Sequence, residues 1–152
     1  MSLAPLFRYP AARLAIDRGD ADLDAFATEM SALDLAEQQS TYTTTFDLAA
    51  SCTPYVGIHL FGDENPDRAR LMIGLKLAYK RLGIESAAEL PDHVAEVLAF
   101  ADRKDAEEHE ELVRFVLLPA LTKMNAILSP TTNPYRHLVA AAIRQISPGG
   151  AS

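Results

Sequence analysis

Between Leu112 and Leu128 the chain reads LVRFVLLPALTKMNAIL, apolar almost all the way round a helical projection. A helix with so little polar face must be enclosed by its neighbours, so this segment is expected to be central and buried. Pro119 removes a backbone donor in its middle and clashes with the preceding turn, so a kink or break is expected there. Upstream, Asp105 and Glu108 have the spacing of a capping box that would start the helix.

The surrounding segments carry helical periodicity as well. After Asp20, a good N-cap, Leu23, Phe26, Ala27, Met30 and Leu33 recur at three- and four-residue steps. NPDRARLMIGLKLAYKRLG is the clearest helix, with Asn65 as cap, Pro66 at the first helical position and Gly83 as a left-handed stop. Leu71, Leu75, Ala78, Tyr79 and Leu82 share one of its faces, with Arg68, Lys76 and Lys80 largely elsewhere. YRHLVAAAIRQI is a shorter last helix after the turn SPTTNP. One stretch looks different. TYTTTFD has the β-branched composition of a strand, but Leu35, Tyr42 and Phe46 continue helical steps from DLAEQQS, and no partner strand offers itself. The expected fold is therefore all-α, a single-domain helical bundle over residues 1–147, with SPGGAS giving a frayed tail over 148–152. The loop GIESAAELP is too short to divide domains.

Charge narrows the function. Lys and Arg total 14 against 21 acids, a net charge of -7, which argues against nucleic acid and is compatible with a basic partner. The lone Cys52 permits no internal disulfide, fits a reducing cytoplasm, and reads as a small buried residue rather than a reactive thiol. The N-terminal segment does not read as a secretory signal, and no run approaches the about 18 apolar residues of a membrane span.

No catalytic or metal pattern emerges. A carboxylate-bridged metal site needs Glu three residues before His, yet Val56, Leu90, Ala106 and Pro134 precede the four histidines at that spacing. Metalloprotease, phosphate-loop and nucleophile-elbow motifs are missing too. The run DAEEHEE is explained by acids in a first helical turn, about 0.3–1 kcal/mol each when exposed, with His109 solvated among them. His137 is expected to face solvent. His59, in YVGIHLFGDE, and His93, in ELPDHVAEVLAF, each have a structural reading. Pro91 fixes the entry dihedral of a helix, Asp92 caps it or sits in its first turn, and His93 is carried along. Val94, Val97, Leu98 and Ala101 then form its buried stripe.

The order of four pieces, YTTTFD, HLFGDENPDR, LKLAYKRLGI and ELPDHVAEVLAF, resembles the delta-subunit family of respiratory nitrate reductase. These are cytoplasmic assembly chaperones for molybdenum enzymes, related to the trimethylamine-oxide and dimethyl-sulfoxide reductase chaperones. The resemblance runs from about Glu37 to Phe100, with a weaker echo in LFRYPAARL. It implies a helical bundle with no catalytic activity and no stably bound cofactor. Such a protein binds the N-terminal segment of a partner's catalytic subunit and assists molybdenum cofactor insertion before membrane attachment or twin-arginine export.

The peptide-binding residues it implies are Tyr42, Phe46, His59, Asp63, Arg68, Pro91, Asp92 and His93, within signature segments that include Gly62 and Leu90. Tyr42 and Phe46 would help wall an apolar groove, core packing being their alternative, while Asp63 and Asp92 would pair with leader arginines. Ala69 stands where a glycine is usual, the segment from Gly62 to Arg68 is longer, and Ala95 replaces a second proline. These departures leave open whether the client is a nitrate reductase or another molybdenum oxidoreductase. No residue pattern fixes whether the cofactor is contacted directly, or whether helix exchange gives monomer and dimer forms. A permanent helical subunit and a small helical enzyme with an unrecognised metal site are the alternative readings.

Overall fold

The structure, a computed structural model, describes residues 2–85 and 89–147. The tail expected over 148–152 and residues 86–88 of the GIESAAELP loop lie outside the described residues. The fold is all-α, and no strand occurs among the described residues beyond one isolated bridge between Tyr55 and His93. Contacts gather the chain into two compact units, each discontinuous in sequence. The first takes the residues up to Phe7 with Pro54–Ala120, and the second Arg8–Thr53 with Leu121 onward.

The second unit holds α1 (Ala21–Ser31), α2 (Leu35–Phe46), most of α7 (Leu118–Leu128) and α8 (Tyr135–Ile146). Asp20 caps α1 as expected, its carboxylate accepting from the N–H groups of Asp22 (2.9 Å) and Leu23 (3.1 Å). TYTTTFD is helical. Asp34 and Glu37 close a capping box at the start of α2, which gives this β-branched segment a nucleated first turn. Its aromatic face then decides the matter: Tyr42 and Phe46 pack with Tyr135, at ring separations of 6.1 and 4.9 Å, and burying them outweighs propensity differences of a few tenths of a kcal/mol per residue. α1 packs along α8. Arg144 bridges Asp20 and Asp22, while Arg136 and His137 both bond the Glu29 carboxylate. His137 is thus half-buried and engaged rather than facing solvent, because α1 covers its side of α8.

In the first unit, a 3-10 turn (Ala4–Phe7) packs on α5 (Val94–Ala101). α3 (Val56–Phe61) packs on α4 (Pro66–Arg81). Asn65, Pro66 and Gly83 act as read from the sequence: the Asn65 side chain accepts from the Asp67 N–H at 2.8 Å, and Gly83 takes φ +71°. Leu75, Ala78 and Tyr79 are buried, but so is Arg68, which the sequence placed off that face.

The segment expected as one buried helix from Asp105 behaves differently. α6 begins only at His109 and ends at Leu112, and the 105/108 capping box does not form, because Arg103 takes the Asp105 carboxylate. His109 is half-buried, its Nδ1 without a partner among the described residues. A π-helical turn, Val113–Leu117, leads into α7, so the helix passes through Pro119 instead of breaking. A register of i→i+5 bonds just before the proline is a known way to accommodate its missing donor. Burial is one-sided: Val113, Leu117, Ala120, Leu121, Met124 and Leu128 are enclosed, whereas Phe115 is 66% exposed. The most completely enclosed helix is α5, where Val94, Ala95, Val97, Leu98, Phe100 and Ala101 are all buried.

Candidate functional site

Pro91, Asp92 and His93 form a tight turn whose backbone is pinned on both sides. The Val56 N–H donates to the Asp92 carbonyl at 2.9 Å, and the Val94 N–H donates to the Pro54 carbonyl at 2.8 Å. The Tyr79 hydroxyl donates to the Pro91 carbonyl at 2.7 Å. Burial raises the Tyr79 pKa well above the ordinary phenol range, with the Glu96 and Asp92 charges adding to it, so the hydroxyl keeps its proton and remains a donor.

The side chains of the turn divide their roles differently from the sequence expectation. His93, 1% exposed, is the N-cap of α5: its Nδ1 accepts the Ala95 N–H at 3.1 Å. Accepting at Nδ1 leaves the ring hydrogen on Nε2. The Tyr55 ring stands edge-on to it at 5.5 Å. Asp92 therefore does not cap; it is fully buried and faces Arg68, whose Nε and Nη2 reach its two carboxylate oxygens at 2.9 and 3.3 Å. This forked contact suits a guanidinium, which satisfies both oxygens at once. The Asp92 hydrogen bonds raise the Arg68 pKa against the opposing effect of burial, so the arginine is locked in its charged form. Its remaining Nη1 reaches Asp63 at 2.9 Å, and its guanidinium carbon lies 5.5 Å from the centre of the Tyr55 ring.

Two residues the sequence reading passed over make the pair possible. Gly57 leaves room for it: a Cβ there would stand 2.6 Å from the Asp92 Oδ2 and 2.8 Å from the Arg68 Cγ. A glycine early in a short helix is an unfavourable choice by propensity, and that was the available signal. Tyr55 supplies the flat face beside Arg68, and its hydroxyl donates to Glu89 at 3.0 Å.

The structure brings Asp63, Arg68, Pro91, Asp92 and His93 together in the first unit. Within this group the Asp63 side chain is open to solvent, 76% exposed, whereas Asp92 is taken up by an internal arginine. His59 lies half-buried on α3, the helix that Gly62 ends. Tyr42 and Phe46 belong to the second unit, where they are core residues, 5% and 4% exposed. No group of three or more metal-ligating side chains gathers among the described residues. Chemically the arrangement is a rigid, charge-paired scaffold that offers carboxylates, Asp63 and Glu89, at its exposed edge.

A family model described as nitrate reductase delta subunit matches residues 13–141 of the chain. No curated protein gives a significant match.

Proposed function

The chain belongs to the nitrate reductase delta-subunit family, and from that premise we propose that it is an assembly chaperone specific to one enzyme system. In this reading it binds the N-terminal segment of a molybdenum oxidoreductase catalytic subunit in the cytoplasm. It holds that subunit during cofactor insertion, before membrane attachment or export, and catalyses no reaction itself. The observation that carries the proposal is the length of the family match, 13–141, far beyond the stretch in which the motifs lie. Two further facts support it. Most residues of the resemblance converge on one scaffold rather than scattering, and no described helix is long and apolar enough to cross a membrane.

The proposal includes a contact at the exposed edge of this scaffold. Arg68 holds Asp63 at the surface, and Asp63 is the carboxylate that an arginine of the client segment meets. Asp92, committed to Arg68 in the interior, sets the position of that arginine and so acts indirectly. A chaperone must release its client, so an affinity near micromolar, about -8 kcal/mol, suits the task.

Calorimetric titration with a synthetic peptide copying the N-terminal segment of the client's catalytic subunit tests the proposal. Saturable one-to-one binding is expected, weakened about twofold to fivefold in Asp63→Asn, the range for an exposed charge pair of about 0.4–1 kcal/mol. A folded protein that binds no such peptide would sink it.

A further inference from the structure

The second unit contains an open cleft of about 420 Å³, formed by one face of α2, the turn after it, the end of α7 and the turn that leads into α8. Its size is in the range of sites that enclose a small ligand or a short piece of one, roughly 300–1,000 Å³. It accounts for three of the four threonines of TYTTTFD: Tyr42 and Phe46 turn to the core, whereas Thr41, Thr44 and Thr45 line the cleft.

The hydrogen bonds of the walls restrict what can bind. Thr41 donates its hydroxyl hydrogen to the Glu37 carbonyl (2.8 Å), Thr45 to the Thr41 carbonyl (2.6 Å) and Thr131 to the Leu128 carbonyl (2.6 Å). Each hydroxyl has one hydrogen, so these oxygens meet a ligand only as acceptors. Thr45 and Thr131 each already accept one hydrogen bond from Asn133, so Thr41 is the one of the three with both lone pairs open. Ser40, Thr44 and Thr132 are exposed, make no side-chain hydrogen bond among the described residues, and rotate freely to donate or accept. Ile127, 41% exposed, adds an apolar wall.

No charged side chain among the described residues lines the cleft, so neither an anion nor a cation finds its countercharge there. The start of α8 offers no anion site either: the Tyr135 N–H is taken by the Asn133 side chain, and the next two N–H groups by the Asn133 and Pro134 carbonyls. A neutral ligand with alternating donors and acceptors is the complement of this wall. Resting on the chaperone reading, we infer that the cleft binds the main chain of an extended stretch of the client peptide. One of its amide N–H groups meets Thr41, its carbonyls meet Thr44 and Thr132, and one side chain rests on Ile127. Recognition of this kind reads backbone rather than sequence, leaving specificity to contacts elsewhere.

The double variant Thr44→Val, Thr132→Val removes two exposed hydroxyls and keeps the side-chain shapes, so the fold is left intact. Titrated with the synthetic N-terminal peptide of the client subunit, it is expected to bind about tenfold more weakly than wild type. An independent series N-methylates the peptide one amide at a time. N-methylation at one position should weaken binding to the wild type, and it should lose that effect in Thr41→Val. Equal binding by wild type and double variant, with no sensitive amide, would overturn the cleft while leaving the chaperone reading intact. If the peptide binds none of the folded proteins, the cleft and the chaperone reading fail together.

Discussion

Replacing Gly57 by alanine sets two opposed effects against each other. Alanine is the better helix former, by up to about 1 kcal/mol. Its methyl group, however, would lie 2.6 Å from the Asp92 Oδ2 and 2.8 Å from the Arg68 Cγ, closer than such atoms can stand. The Asp92 carboxylate cannot retreat cheaply, since it is fully buried and both its oxygens are bonded to Arg68. Separating a buried pair costs about 3–5 kcal/mol, because two charges lose their compensation. The net expectation is a destabilisation of about 2–4 kcal/mol, read from urea unfolding followed by circular dichroism. Gly74→Ala is the matched control: it lies inside α4 with no atom within 4 Å of the added Cβ, and should stabilise by up to about 1 kcal/mol. Equal stabilisation by both substitutions would refute the claim that α3 is packed against a rigid Arg68–Asp92 pair.

Other expectations follow from single contacts. Asp34→Ala removes the capping box of α2 and should lower stability by about 1 kcal/mol, seen as a lower midpoint in thermal melts; an unchanged midpoint would show that α2 is held by its aromatic face alone. Cys52 is buried, which pushes its thiol pKa up to about 12. Its reaction with a disulfide reagent at about pH 8 should track unfolding, and rapid labelling of the native protein would contradict the placement. Glu29 gives a pH dependence. Burial works to raise its pKa, but hydrogen bonds from Arg136 and His137 outweigh it and hold the carboxyl below its ordinary 4.5. A lowered folded-state value stabilises fully above the unfolded value and is lost as pH falls below it. The stability advantage of wild type over Glu29→Gln should therefore shrink below about pH 4.5, and a gap independent of pH would exclude the contact.

Local signals in the sequence are legible where they act alone. Caps and stops depend on one residue and its neighbours, which is why Asp20, Asn65, Pro66 and Gly83 behave as read. The helical nature of TYTTTFD is legible from Tyr42 and Phe46 at one-turn spacing. What fails depends on partners distant in sequence. Arg68 looks like a surface residue because Asp92, which makes its burial tolerable, lies twenty-four positions away. His137 looks exposed because Glu29 arrives from α1. Asp92 gives up its expected capping role for the same reason: with the aspartate claimed by Arg68, the histidine ring becomes the cap. The run of apolar residues from Leu112 to Leu128 suggests burial on every side where only one side is enclosed, because an apolar side chain such as Phe115 carries no local mark of whether a neighbour will cover it.

In the proposed role the chain attends its client only while the client is immature. The direct test mixes the purified protein with the client's catalytic subunit, once lacking and once loaded with molybdenum cofactor, and weighs the complexes by native mass spectrometry. A one-to-one complex is expected with the cofactor-free subunit and none with the loaded enzyme. A stoichiometric complex that persists in the loaded enzyme would make the chain a permanent subunit, and no complex with either form would contradict the chaperone assignment.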